Sequence, residues 1–362
     1  MPSIRVLVVD DSVVVRRLVS DALKADSRLE VVGVAANGRI GLQKIPQVNP
    51  DVVTMDIEMP VLDGLATLKE LRRTWPRLPV IMFSTLTERG AEATLEALSL
   101  GASDYVTKPA NVGSVSLAQE RIRDELVPRI LALSGKVVLP MPSRPAPAPA
   151  APVRVVRPLV ARPEGVDVVA IGVSTGGPNA LAKVLPALPA EFPVPIVIVQ
   201  HMPPLFTKFL ADRLSSASHL KVQEGRAGAV LEPGTVWIAP GNYHMVVERT
   251  GDTVRLAMNQ EPQENSCRPS VDVLFRSVAE AYGSRSLSVV LTGMGQDGLR
   301  GAQLLVDAGA AVLAQDEATS VVWGMPGFIA NAGLASAVLP IDAVAAELCV
   351  RTATGALQGR AS

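Results

Sequence analysis

Short apolar runs separated by helix-length amphipathic stretches recur along most of this chain, on both sides of one tract that cannot build a core. Residues 4–9, 52–55 and 79–83 precede the tract, and residues 168–172, 196–200, 286–292 and 311–315 follow it; nearly all their side chains are apolar. Runs of this length read as strands buried on both faces, which calls for parallel pairing under covering helices. The tract itself, residues 134–164, is dominated by proline and alanine, as in Pro145-Ala146-Pro147-Ala148-Pro149. It reads as a semi-rigid, extended linker. The expected fold class is therefore α/β, with two doubly wound parallel-sheet domains. Residues 1–133 form the first and 165–351 the second, while 352–362 read as a disordered tail. A chain of 362 residues fits two cores better than one.

In the first domain, strands are expected at 4–9, 29–34, 52–55, 79–83 and 105–106. Helices alternate with them at 12–25, 38–45, 64–74, 91–100 and 116–133. In the second, strands are expected at 168–172, 196–200, 286–292 and 311–315, with helices at 179–188, 205–216, 271–282, 298–308 and 341–351. Residues 236–239, 244–248 and 254–258 read as an antiparallel excursion, because Gly-Asn and Gly-Asp turns separate them. Right-handed crossovers place ligand sites at the carboxyl ends of the parallel strands.

Composition removes several function classes. Aromatic residues make up only 3% of the chain and the net charge is −1, which argues against base-stacking modules and basic nucleic-acid or membrane footprints. Cys267 and Cys349 have no metal-ligand spacing and form no disulfide framework. Free thiols suit the cytoplasm. The N-terminus runs straight into a strand, so no signal peptide is expected. No apolar run approaches the roughly 18 residues that span a bilayer, so no membrane insertion is expected.

Two groups of polar residues fall at predicted strand ends. Asp10, Asp11 and Asp56 supply three carboxylates, suited to Mg²⁺. Asp56 is the candidate phosphate acceptor, since carboxylates form aspartyl-phosphates. Ser84 and Lys108 follow two further strands and are placed to bond and neutralise a phosphoryl group. Taken singly, such acids also read as solvated loop residues or helix caps.

The second group starts at Gly172-Val173-Ser174-Thr175-Gly176-Gly177-Pro178, a strand, tight turn and helix start that would present Ser174 as a nucleophile. A phosphate-binding glycine loop and a purely structural turn also fit, but a Walker loop does not, because no Gly-Lys-Ser/Thr follows. His201 ends the apolar run 196–200 and falls on the same sheet edge. Of the other two histidines, His219 lies in a Ser-rich stretch and His244 after a turn. Asp297, in Leu291-Thr292-Gly293-Met294-Gly295-Gln296-Asp297-Gly298, is placed to orient His201, or merely to cap the helix from Gly298. The same loop offers backbone N–H groups to an oxyanion, Met294 first among them.

Residues 1–133 resemble the receiver domain of bacterial response regulators. The resemblance rests on Asp10-Asp11, Asp56, Pro60, Gly64, Ser84, Tyr105 and Lys108-Pro109. It implies Mg²⁺-dependent phosphotransfer from a histidine kinase, with Ser84 and Tyr105 as the conformational readout. Residues 166–350 resemble the catalytic domain of the chemotaxis protein-glutamate methylesterase/glutaminase (CheB) family. The carrying stretches are the serine turn, Gln200-His201-Met202, Ala239-Pro240-Gly241-Asn242-Tyr243-His244, Arg268-Pro269-Ser270-Val271-Asp272-Val273-Leu274-Phe275 and the Asp297 loop. This second resemblance implies Ser174 as nucleophile, His201 as general base and acid, Asp297 as orienting carboxylate, and Thr175 and Met294 near substrate and oxyanion.

Together they imply hydrolysis of glutamate γ-methyl esters, and deamidation of glutamines, on methyl-accepting chemoreceptors, with no cofactor for the hydrolysis itself. A cytoplasmic monomer is expected, whose receiver covers the catalytic face until Asp56 is phosphorylated. The alternatives are the same chemistry on a receptor outside chemotaxis, and a phosphorylation-controlled interaction module without activity. Arg268 reads either as a contact for acidic receptor helices or as one half of a structural salt bridge.

Overall fold

The computed structural model describes residues 3–109, 114–135 and 165–356. The chain divides into two compact units, Met1–Leu139 and Pro140–Ser362. Most of the expected linker, residues 136–164, lies outside the described residues.

The first unit alternates β1 (Ile4–Val9), α1 (Val13–Lys24), β2 (Leu29–Ala35), α2 (Gly38–Val48), β3 (Val52–Asp56), α3 (Gly64–Thr74), β4 (Val80–Ser84), α4 (Glu88–Ser99), β5 (Asp104–Thr107) and α5 (Val115–Leu133). All strand pairs are parallel, in the order β2-β1-β3-β4-β5. Each helix starts where the sequence supplies an N-cap. The side chains of Ser12, Asn37, Asp63, Thr87 and Ser114 each accept a bond from a first-turn N–H. The expected stop at residue 45 is wrong: α2 runs through Pro46 and ends at Asn49, in left-handed conformation. Proline removes one ladder donor there without ending the helix.

The second unit contains β6 (Val168–Val173), α6 (Gly177–Val184), β7 (Ile196–Gln200), α7 (Phe206–Ala217), β8 (Lys221–Glu224), β9 (Thr235–Ile238), β10 (His244–Thr250), β11 (Thr253–Asn259), α8 (Val271–Tyr282), β12 (Ser286–Val290), α9 (Leu299–Asp307), β13 (Ala311–Gln315), α10 (Met325–Asn331), β14 (Ala337–Leu339) and α11 (Ile341–Ala356). Seven strands form one parallel sheet, in the order β14-β13-β12-β6-β7-β9-β8. The chain starts at β6, builds outward through β7, and returns to the other side of β6 with β12. That reversal makes a crevice at the carboxyl ends of β6 and β12.

Three expectations need correction here. Residues 235–238 are not antiparallel: β9 pairs in parallel with both β7 and β8. Its Val236, Trp237 and Ile238 are all buried, which suits an interior parallel strand. Only β10 and β11 form the antiparallel excursion. The short elements β8, α10 and β14 were not expected; β8 reads Lys-Val-Gln-Glu, a polar edge strand without an apolar run. The tail does not begin at residue 352, because α11 continues to Ala356 and buried Thr352 bonds the Leu348 carbonyl.

Helix α8 packs against α9, β10 and β6, and Phe275 on its inner face is fully buried. Replacing Phe275 with alanine leaves a cavity under the helix. The expected cost is about 3–5 kcal/mol. Urea unfolding of the full chain should show the catalytic unit's midpoint lowered and the receiver's unchanged.

Candidate functional site

In the first unit, β1 and β3 are neighbours, so the residues leaving their carboxyl ends meet. Asp10 follows β1 and Asp56 closes β3; oxygen atoms of Asp10, Asp11 and Asp56 lie within 4.8 Å of one another. Lys108, just past β5, reaches Asp56 Oδ2 at 2.8 Å and Asp10 Oδ2 at 3.1 Å. Asp10 and Asp56 are buried, whereas Asp11 is exposed. Burial, with Asp10 alongside, outweighs Lys108 and lifts the Asp56 carboxyl to about 6. Burial also raises Asp10 against the pull of Lys108. Carboxylates crowded in this way fit a divalent cation, and the residues that would hold Mg²⁺ are these three. Ser84 sits at the end of β4, but its hydroxyl bonds the Gly90 carbonyl of α4 at 3.0 Å. Tyr105 is buried, and burial pushes its hydroxyl above the ordinary tyrosine range.

In the second unit the strand order β12-β6-β7 sets three loops side by side. Ser174 follows β6, His201 follows β7 and Asp297 lies in the loop after β12. Backbone bonds tie these loops together. Ser174 N–H donates to Thr292 O at 3.0 Å, and His201 N–H to Val173 O at 3.2 Å. The buried Gln200 amide donates to the Ser174 and His201 carbonyls. Two glycines make the approach possible. Gly176 has φ 78°, and a Cβ on Gly293 would stand 2.8 Å from Ser174 Cβ. Ser174 itself is half-buried.

His201 Nε2 lies 2.8 Å from Asp297 Oδ2. That carboxylate is only 2% exposed, yet it is fully bonded. Oδ2 also accepts Val271 N–H at 2.7 Å. Oδ1 accepts Ser270 Oγ at 2.8 Å, Asn265 Nδ2 at 2.9 Å, Asp272 N–H at 3.0 Å and Gly298 N–H at 3.1 Å. Val271 and Asp272 open α8, whose own N-cap residue, Ser270, makes no side-chain cap bond to the helix. Asp297 therefore caps α8 from a distant loop, rather than serving chiefly the helix that follows it. Burial alone would raise its pKa; the bonds from His201 and the helix N–H groups prevail and hold it at about 2.

The other ring nitrogen, His201 Nδ1, faces Cys267 Sγ at 3.7 Å. Burial opposes the imidazolium, but the Cys267 sulfur and Asp297 outweigh it and raise His201 above the ordinary histidine range. Thr175 is buried and its carbonyl accepts Thr292 Oγ1 at 2.9 Å. The Met294 N–H, beside Gly293, has no hydrogen-bond partner among the described residues.

Sequence reasoning missed Asn265, Cys267, Ser270 and Asp272 as site residues. Cys267 is 66 positions from His201, so no linear spacing reveals the pair. His244 is buried: its Nδ1 accepts Ser270 N–H at 3.2 Å and its Nε2 bonds Pro262 O at 3.2 Å, which steadies Ser270 from behind. His219 is exposed. Arg268 forms no salt bridge among the described residues. Its guanidinium bonds Asn242 Oδ1 and the carbonyls of Gln260 and Glu261.

Comparison with known proteins matches each unit to a known family. Residues 169–348 match the family model for CheB methylesterase, and residues 6–118 that for the response regulator receiver domain. A protein-glutamate methylesterase/protein-glutamine glutaminase of Trichodesmium erythraeum is 53% identical over 97% of this chain and 99% of its own length. One from a Nocardioides species is 54% identical over 98% of this chain and 96% of its own. The Thermotoga maritima CheB methylesterase catalytic domain superposes with a TM-score of 0.51 at 43% identity, over 51% of this chain and 98% of that domain. The chain belongs to the CheB family of protein-glutamate methylesterase/protein-glutamine glutaminases, with an N-terminal response regulator receiver domain.

Proposed function

We propose that this enzyme hydrolyses glutamate γ-methyl esters, and deamidates glutamines, on chemoreceptors through Ser174, His201 and Asp297, and that phosphorylation of Asp56 raises its activity. The observation that carries the reading is the bond between His201 Nε2 and the multiply held Asp297, on the loop edge that also presents Ser174. Because Asp297 occupies Nε2, Nδ1 is the nitrogen left to take the Ser174 proton. Ser174 Oγ then attacks the ester carbonyl, and the Met294 N–H stabilises the developing oxyanion. His201 returns the proton to the leaving group, methanol or ammonia, and Asp297 stabilises the imidazolium between the two transfers. Water releases the acyl-enzyme by the same route. Asp56, fed by a histidine kinase, forms the aspartyl-phosphate. Asp10, Asp11 and Asp56 would hold Mg²⁺, which would supply charge for the phosphoryl oxygens, and Lys108 pairs with the product. Ser84 and Tyr105 convert it into a conformational signal.

Methanol release from methylated receptor membranes tests the reading. Ser174→Ala should lose at least about 10³-fold in rate. A small phosphodonor with Mg²⁺ should stimulate the wild type and leave Asp56→Asn unstimulated. Ser174-independent release would end the triad assignment, and equal stimulation of Asp56→Asn would end the gate.

Hydrolysis requires neutral His201, so kcat/KM should rise with pH through its ionisation. Since Asp297 and Cys267 raise that ionisation, the midpoint should lie above the ordinary 6.5. Asp297→Asn should move it down and cut the rate by about 10³–10⁴.

Asp56 yields a stability prediction of the opposite sense. Its folded pKa of about 6 lies above its unfolded value, so the native state binds more protons between about pH 4 and 6. Stability is therefore lost as pH rises through that window, by on the order of 3 kcal/mol. Asp56→Asn should stabilise the receiver at pH 7.5 but not at pH 3.5, as thermal unfolding at the two pH values will show. Mg²⁺ should stabilise the wild type more than the variant.

A further inference from the structure

Cys267 lies against the nitrogen that the reaction needs, and several features of the chain fix it there. The thiol follows a two-residue turn: Glu264 and Cys267 exchange backbone bonds at 3.2 and 2.9 Å, with Asn265 and Ser266 between them at φ 52° and 61°. Two consecutive left-handed residues give the tight primed turn, and Ser266 carries strain there. The Asn265 amide pins the turn by donating to Asp272 Oδ2 and Asp297 Oδ1, both at 2.9 Å. The turn that carries Cys267 and the His201 imidazole are thus held by one common carboxylate. Ligand atoms of His201, Cys267 and Asp297 lie within 4.8 Å of one another.

We propose that Cys267 Sγ and His201 Nδ1 form a binding site for a thiophilic divalent cation of the zinc class, and that occupying it switches the hydrolase off. The spacing fits. Metal–sulfur and metal–nitrogen bonds of about 2.3 and 2.0 Å at a tetrahedral angle hold the two ligands about 3.5 Å apart; the observed separation is 3.7 Å. The second ring nitrogen is already bonded to a buried carboxylate, the arrangement that orients a histidine ligand and sharpens its basicity. Both residues are half-buried, so an ion from solution can reach them and retain water in the remaining positions.

A thiol and an imidazole favour zinc or cadmium over Mg²⁺, which leaves the oxygen-lined receiver site with its own cation preference. Binding exchanges the thiol proton for the metal and releases that proton to solvent. It also ties up the Nδ1 lone pair, so His201 can no longer accept the proton of Ser174. The inhibition rests on His201 being the base; the binding does not.

Two readouts on the full chain separate these parts. With Cd²⁺, the wild type should show a thiolate-to-metal charge-transfer band. The band should vanish in Cys267→Ser and weaken in His201→Gln. It should persist in Cys349→Ala, which removes the other thiol, and in Asp56→Asn and Ser174→Ala. In the methanol-release assay, buffered Zn²⁺ should inhibit the wild type reversibly. The half-inhibiting concentration should rise at least about tenfold in Cys267→Ser, each protein being normalised to its own metal-free rate. A band that survives Cys267→Ser overturns the site. A Cys267-dependent band with undiminished hydrolysis overturns the switch, together with the assignment of Nδ1 as the base. Loss of all hydrolysis in metal-free protein, with the band intact, overturns the switch and points to the failure of the proposed function rather than of the metal site.

Discussion

The Asp297 carboxylate holds the catalytic unit's site together. It is buried, and an unpaired buried charge would be expelled by protonation or by unfolding. Here it accepts from a histidine, a serine, an asparagine and three backbone N–H groups, two of them from the first turn of α8. One ionised group thereby fixes the start of a core helix, the turn bearing Cys267 and the plane of the His201 ring. Its charge is sustained by the same donors that it positions, so the helix end and the histidine depend on one another. Phe275, on the buried face of that helix, connects this polar knot to the hydrophobic core.

Sheet topology supplies the remaining geometry. Parallel strands β12, β6 and β7 are adjacent, so the loops leaving them emerge at one edge without any long excursion. Glycine at 293 lets the Asp297 loop close against the serine turn, and Gly176 turns the chain from β6 into α6. The bonds from Gln200 to the Ser174 and His201 carbonyls brace neighbouring loops that would otherwise be held only by their strands.

The parts legible in the sequence were those that follow from periodicity. Ser174, His201, Asp56 and Lys108 each come at or just past an apolar run, and parallel pairing alone carries them to a common edge. β9 was misread because Gly234 and Gly241 flank it with turn signals, and the burial of Trp237 on an interior strand is a tertiary fact. β8 was invisible because Lys221, Gln223 and Glu224 follow no apolar pattern. Cys267 and Asn265 come from a loop whose path depends on two left-handed residues, and nothing in composition announces that. The ring nitrogen facing Asp297 was equally out of reach, since sequence names a histidine but not its orientation.

The two buried aspartates that matter most, Asp56 and Asp297, show how environment divides one residue type into two chemistries. Asp297 has donors on both oxygens, and its pKa is held at about 2. A carboxylate so fully bonded has little electron density left for attack, and serves as a fixed charge. Asp56 has Lys108 and one long bond from Glu58 N–H, and burial lifts its pKa to about 6. Its oxygens keep free lone pairs, its negative charge is poorly compensated, and a phosphoryl group bound there would bring both a bond and, with a cation, relief of the crowding. Under the proposed function the stabilised carboxylate orients and the strained one reacts, which is the division expected when environments push two like groups apart.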